Sequence, residues 1–129
     1  MSKSELPRPT EAELAILRVL WDRGPSTVRE VTDVLQEARG TGYTTALKLL
    51  QIMTEKGLVQ RDETSRAHAY EAVASAETTQ RQLVSDLLDR AFGGSARQLV
   101  LQALSAKRAS RDELAEIRRM LDEFEKKAK

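Results

Sequence analysis

A chain of 129 residues with 40% hydrophobic and 32% charged residues has room for one compact domain, or for a small domain with an appended arm, and is too rich in apolar residues to be disordered. The net charge of +1, from 21 basic and 20 acidic residues, lacks the strongly basic balance of a non-specific nucleic-acid binder, so any such role must rest on local placement of charge. The absence of cysteine excludes disulfides and thiolate metal sites, and no apolar run approaches the roughly 20 residues that span a bilayer.

Thr10-Glu11-Ala12-Glu13 reads as a capping box, and Leu14, Leu17, Leu20 and Trp21 recur behind it at helical spacing until Gly24-Pro25, which predicts helix one over 11–23. Ser26-Thr27 offers a second N-cap pair before Val28, Val31, Val34 and Leu35, and helix two is expected to end near Arg39-Gly40. After the turn Gly40-Thr41-Gly42, helix three runs from 43 to 56, with Gly57 at the left-handed C-cap position. The period then changes: 58–61 and 67–73 read as two strands around the polar turn 62–66. Three helices and a hairpin make a winged helix-turn-helix.

The rest is helical. Leu83, Val84, Leu87, Leu88 and Ala91 form a stripe broken by Gly93-Gly94, and Ser95 caps a helix carrying Leu99, Val100 and Leu104. Ser110-Arg111-Asp112-Glu113 opens a last helix with Leu114, Ile117, Leu121 and Phe124 on one side, and 126–129 are expected to fray. The expected fold is therefore mainly α with a small β-hairpin wing: a winged-helix DNA-binding domain over 1–75 and a helical dimerisation arm over 76–129.

On helix three, Ala46, Leu49, Leu50 and Met53 mark the core face, and Thr44, Lys48, Gln51 and Glu55 stand opposite, with Thr45 and Ile52 on the flank. Short hydroxyls followed by longer donors suit a major groove: Thr meets thymine methyls or phosphates, Lys guanine or phosphate, Gln adenine. An ordinary solvated helix face has the same polarity, and it is the position just before a hairpin that favours the groove. Thr27 at the start of helix two joins the candidate DNA contacts. So do Arg66 in the wing turn, His68 as a strand residue whose ring packs or touches a phosphate, and Tyr43, which either enters the groove or packs.

Tyr43-Thr44-Thr45, Leu49-Leu50-Gln51, Glu55-Lys56-Gly57-Leu58-Val59 and Arg66-Ala67-His68-Ala69-Tyr70, with the opening 14–21 segment, resemble the penicillinase-repressor (BlaI/MecI) family over essentially the whole chain. The resemblance implies a homodimeric transcriptional repressor on an inverted-repeat, double-stranded DNA operator, often with TACA/TGTA half-sites. It also implies a membrane metalloprotease sensor as partner, which cuts the arm at a bond that falls near Gln102-Ala103. Family members often carry Asn-Phe at that bond, and basic residues where this chain has Ile52 and Glu55. The copper-responsive branch has a cysteine-rich metal tail that this chain lacks.

In the arm, Leu83, Val84, Leu87, Leu88, Leu99, Leu104, Leu114, Ile117, Leu121 and Phe124 are the candidate dimer interface, because so small a wing domain cannot hide all of these stripes. The alternative is that the arm helices pack on their own domain. One histidine, no cysteine and no phosphate-binding glycine loop leave nothing to assemble a catalytic constellation, so no enzyme activity, metal or cofactor is expected. Residues 1–10 have no signal-peptide apolar segment, and a cytoplasmic location without membrane insertion is expected. The rival function is a winged-helix protein-interaction module without sequence-specific DNA binding.

Overall fold

The structure, a computed structural model, describes residues 7–64 and 66–128, so most of the 1–10 segment and Ser65 of the wing turn lie outside the described residues. Six helices and a three-stranded antiparallel sheet follow one another along the chain: α1 Glu11–Arg23, β1 Ser26–Thr27, α2 Val28–Arg39, α3 Tyr43–Lys56, β2 Val59–Asp62, β3 Ala69–Ala72, α4 Ala76–Ala91, α5 Ala96–Ala106 and α6 Arg111–Lys127. The chain divides into two compact units, 1–83 and 84–129.

In the first unit the helix starts form as their sequences dictate. The Thr10 hydroxyl accepts the Glu13 N–H at 3.2 Å while Glu13 Oε1 accepts the Thr10 N–H at 2.9 Å, and Thr27 and Glu30 repeat this reciprocal pair on α2. Ile16, Leu17 and Leu20 of α1 pack with Val31 and Leu35 of α2 and with Ala46, Leu50 and Met53 of α3, and Val59 and Tyr70 of the sheet close the same core. The Trp21 indole N–H donates to the Ala74 carbonyl at 3.0 Å, tying α1 to the segment that leaves β3. A partly buried ion pair joins the start of α1 to the end of α3, with Lys56 Nζ 2.7 Å from the buried Glu13 Oε1.

Gly57 ends α3 with φ +85°, a conformation that disfavours any side chain, and the Leu58 N–H bonds the Met53 carbonyl at 2.9 Å. Leu58 therefore still belongs to the helix end, and β2 begins one residue later than the alternation suggests. The sheet order is β1-β3-β2, with Ser26 opposite Tyr70 and Arg61 opposite Tyr70 from the other side. The expected two-stranded wing thus gains a third strand. Its two residues are too short to announce themselves by alternation, and Thr27 serves both as strand end and as cap of α2.

In the second unit the Ser95 hydroxyl accepts the Gln98 N–H at 3.1 Å and the Ser110 hydroxyl accepts the Glu113 N–H at 3.0 Å, opening α5 and α6. Helix α6 continues through Lys127, past the point where fraying is expected, and the basic Lys126 and Lys127 suit its negative end. No residue of α5 or α6 is buried.

Candidate nucleic-acid interface

Helix α3 divides as its periodicity predicts. Ala46, Leu50 and Met53 are buried and Leu49 half-buried, whereas Thr44, Thr45, Lys48, Gln51, Ile52 and Glu55 are exposed. Its start meets the start of α2: the Arg29 guanidinium lies 5.3 Å from the centre of the Tyr43 ring, and Thr27 caps α2 two residues before Arg29. The Thr27 hydroxyl oxygen is occupied as an acceptor, but its proton is free to be donated outward. Tyr43 is 44% exposed, so its ring is a surface feature rather than part of the core.

The wing carries the second group of residues. Arg66 and His68 are both exposed in the segment between β2 and β3, and His68 stands one residue outside β3 rather than within it. The strand is shorter than the pattern predicts because its pairing ends at Ala69, opposite Asp62. On the β2 side, Arg61 Nε donates to Glu63 Oε2 at 2.9 Å, and a second guanidinium N–H bonds the same carboxylate oxygen. This bond holds the Glu63 carboxyl below the ordinary carboxylate range. The Thr64 backbone N–H and hydroxyl, at 2.9 and 2.7 Å, do the same for Asp62. An open groove between α3 and the sheet is lined by Gln51, Glu55, Gln60, Arg61, Glu63 and Tyr70.

Charge is therefore placed sparingly. The first 75 residues hold ten Lys and Arg against eleven Asp and Glu, and among the described residues Arg23, Lys56 and Arg61 are taken up by carboxylates. Sequence reasoning missed Arg29, Arg61 and Glu63. Arg29 could have been found from its place in the first turn of α2, but its ring partner lies fourteen positions on, across the turn. Neutralising Glu63 is expected to release Arg61. Glu63→Gln should raise affinity for random-sequence duplex and steepen the log–log salt dependence by about one per chain bound, read by fluorescence anisotropy across a salt series. An unchanged slope would mean that Arg61 is already available.

The arm residues are placed as follows. Leu83 is half-buried in a cleft with Leu14, Trp21 and Thr79 of the first unit. Leu88, Leu99, Leu114 and Ile117 are half-buried, whereas Val84, Leu87, Leu104, Leu121 and Phe124 are exposed, Phe124 at 67%. Gln102 and Ala103 are exposed in the middle of α5. Among the described residues no group of three or more His, Cys, Asp or Glu is placed to hold a metal ion, and no helix is long and apolar enough to cross a membrane.

A helix, a short strand, two further helices and a hairpin in this order define a winged helix-turn-helix protein, with the polar face of α3 outermost. The family model of the penicillinase repressors matches residues 9–123, and the chain belongs to that family of transcriptional repressors. It is 34% identical over 123 residues to the transcriptional regulator BlaI of Mycobacterium tuberculosis, covering 95% of this chain and 88% of the relative. It is 19% identical to the penicillinase repressor of Staphylococcus aureus, over 90% of this chain and 92% of that protein. The fold resembles the solution structure of Bacillus licheniformis BlaI, in monomeric form in complex with the blaP half-operator. There the TM-score is 0.51 and the identity 20%, over 57% of this chain and 89% of that one. The DNA-binding domain of the repressor BlaI matches similarly, with a TM-score of 0.50 and 21% identity over 56% of this chain and 88% of that one.

Proposed function

We propose that this chain is a sequence-specific DNA-binding repressor, a homodimer on an inverted-repeat operator, with residues 1–75 as its reading head and 76–129 as its dimerisation arm. The observation that carries the reading is the exposed row Thr44, Lys48 and Gln51 on α3, opposite the buried Ala46, Leu50 and Met53. Laid in a major groove, this row offers a methyl and hydroxyl, then a cation, then an amide able to bond adenine through two hydrogen bonds. Gly42 brings no side chain to the first N–H groups of α3, and these can face a phosphate. Thr27, Tyr43, Thr45, Arg66 and His68 complete the proposed contacts. The half-operator complex of the Bacillus licheniformis relative supports DNA as the partner.

The dimer reading rests on an arm whose α5 and α6 bury nothing within one chain. A two-fold dimer would match an inverted repeat half-site by half-site. Release by a membrane metalloprotease sensor, cutting at Gln102-Ala103, would separate α6 from the head. The bond lies within a helix, so α5 must unwind locally before a protease can take it.

The test is a mobility shift and footprint on the DNA upstream of the chain's own coding region, over a range of salt. A complex that weakens steeply with salt and protects two symmetric half-sites is expected. Gln51→Ala should cost about 1–3 kcal/mol on that site and leave random-sequence binding nearly intact. The near-neutral head gives a protein-interaction module its support as a second reading, and the absence of any salt-sensitive complex would favour it.

A further inference from the structure

Arg29 is neutralised by no carboxylate among the described residues. It stands on the first turn of α2, exposed, with its guanidinium 5.3 Å from the centre of the Tyr43 ring at the first position of α3. Among the described residues it makes no ion pair, whereas Arg23 pairs with Glu30, Lys56 with Glu13 and Arg61 with Glu63. A guanidinium stacked on a ring uses its flat face and keeps its N–H edge for a further partner. Arg29 stands two residues after the Thr27 cap, and the ring beneath its guanidinium belongs to the helix that carries Thr44, Lys48 and Gln51.

We propose that Arg29 is a DNA-phosphate contact of the head and that Tyr43 is its positioning residue. The inference rests on the DNA-binding reading above and adds a group that it does not contain. The chemistry is that of a phosphodiester: a planar fork of N–H donors meets two anionic oxygens, and the fork is already oriented before DNA arrives. Less side-chain freedom is then lost on binding than by an Arg that is free in solution. Such a contact sets the register of α3 along the groove and carries no base preference of its own. A phosphate anchored from the start of α2 and base edges met from α3 would make the two helix starts one rigid clamp.

The experiment uses the full chain with two probes: a duplex of the upstream DNA and a random-sequence duplex of equal length, both titrated across salt. Arg29→Ala is expected to weaken both complexes by the same factor, about tenfold, and to lower the log–log salt slope by about one per head. Tyr43→Phe keeps the ring face, so Arg29→Ala should cost the same factor in that background as in the wild type. Tyr43→Leu should lose about two- to fivefold, and should lose less once Arg29 is already alanine. Thermal melts report folding, and neither exposed side chain is expected to move them. If Arg29→Ala binds like a wild type that itself forms the salt-sensitive complex, the inference falls alone. If Tyr43→Leu loses as much without Arg29 as with it, the positioning role is overturned. A wild type that binds neither duplex removes both this inference and the reading beneath it.

Discussion

Lys56→Met is expected to lower the unfolding free energy at pH 7 by about 2 kcal/mol, between the value of an exposed ion pair and the loss of one partner from a fully buried one. The Glu13 side chain is only 4% exposed and that of Lys56 34%, so the carboxylate is left stranded while the ammonium end is the better solvated of the two. Burial by itself would raise the Glu13 pKa. The hydrogen bond and charge of Lys56, together with the Thr10 backbone N–H, outweigh burial and hold it below its ordinary 4.5. A carboxylate with a depressed folded pKa contributes stability above its unfolded pKa, and that stability is lost as pH falls through the folded value. Wild type should therefore lose stability on acidification below about pH 4.5, where the unfolded Glu begins to take up protons. The variant lacks the pair at every pH, so the gap between the two should close in acid. Urea melts at pH 7 and in the acid range measure both curves. A gap that stays constant with pH would assign the loss to the Lys56 stem and its bond to the Arg8 carbonyl rather than to charge.

The second large effect is on assembly. Leu121→Asp should shift the proposed dimer to monomer in sedimentation and weaken operator binding on the order of a hundredfold, the scale at which two linked sites exceed one. Leu121 is 56% exposed within one chain and shares its helix face with Leu114, Ile117 and Phe124, so an aspartate costs the isolated helix little. In a two-fold interface the same charge is buried twice without a partner. Melting of the head should not move, because its core is built from residues before Tyr70 and Tyr70 itself. Unchanged sedimentation would place the interface elsewhere on the chain.

Most of the first unit was legible from local pattern. Thr10 and Thr27 with their glutamates mark two helix starts, Gly57 marks the end of α3, and the spacing of Ala46, Leu50 and Met53 separates its buried side from its exposed one. These features depend on residues within about one or two helical turns of one another, the range over which sequence spacing becomes contact. The polar face carrying Thr44, Lys48 and Gln51 follows from the same spacing and was legible for the same reason.

What needed the folded chain lies between distant segments. Residues 26–27 form a strand only because β3 offers them partners more than forty positions on, and no two-residue stretch has a period to read. The Glu13–Lys56 pair, 43 residues apart, and the Trp21–Ala74 bond, 53 apart, are likewise invisible to local spacing. Arg29 and Tyr43 meet because α2 and α3 turn back on each other, and Arg61 is masked by a glutamate that the hairpin turn brings to it. The sequence by itself determined the winged helix-turn-helix and the face of α3 that is free. Tertiary structure alone decided which charges on that head are spent on its own carboxylates and which remain to meet a partner, because ion pairs depend on distance through space rather than along the chain.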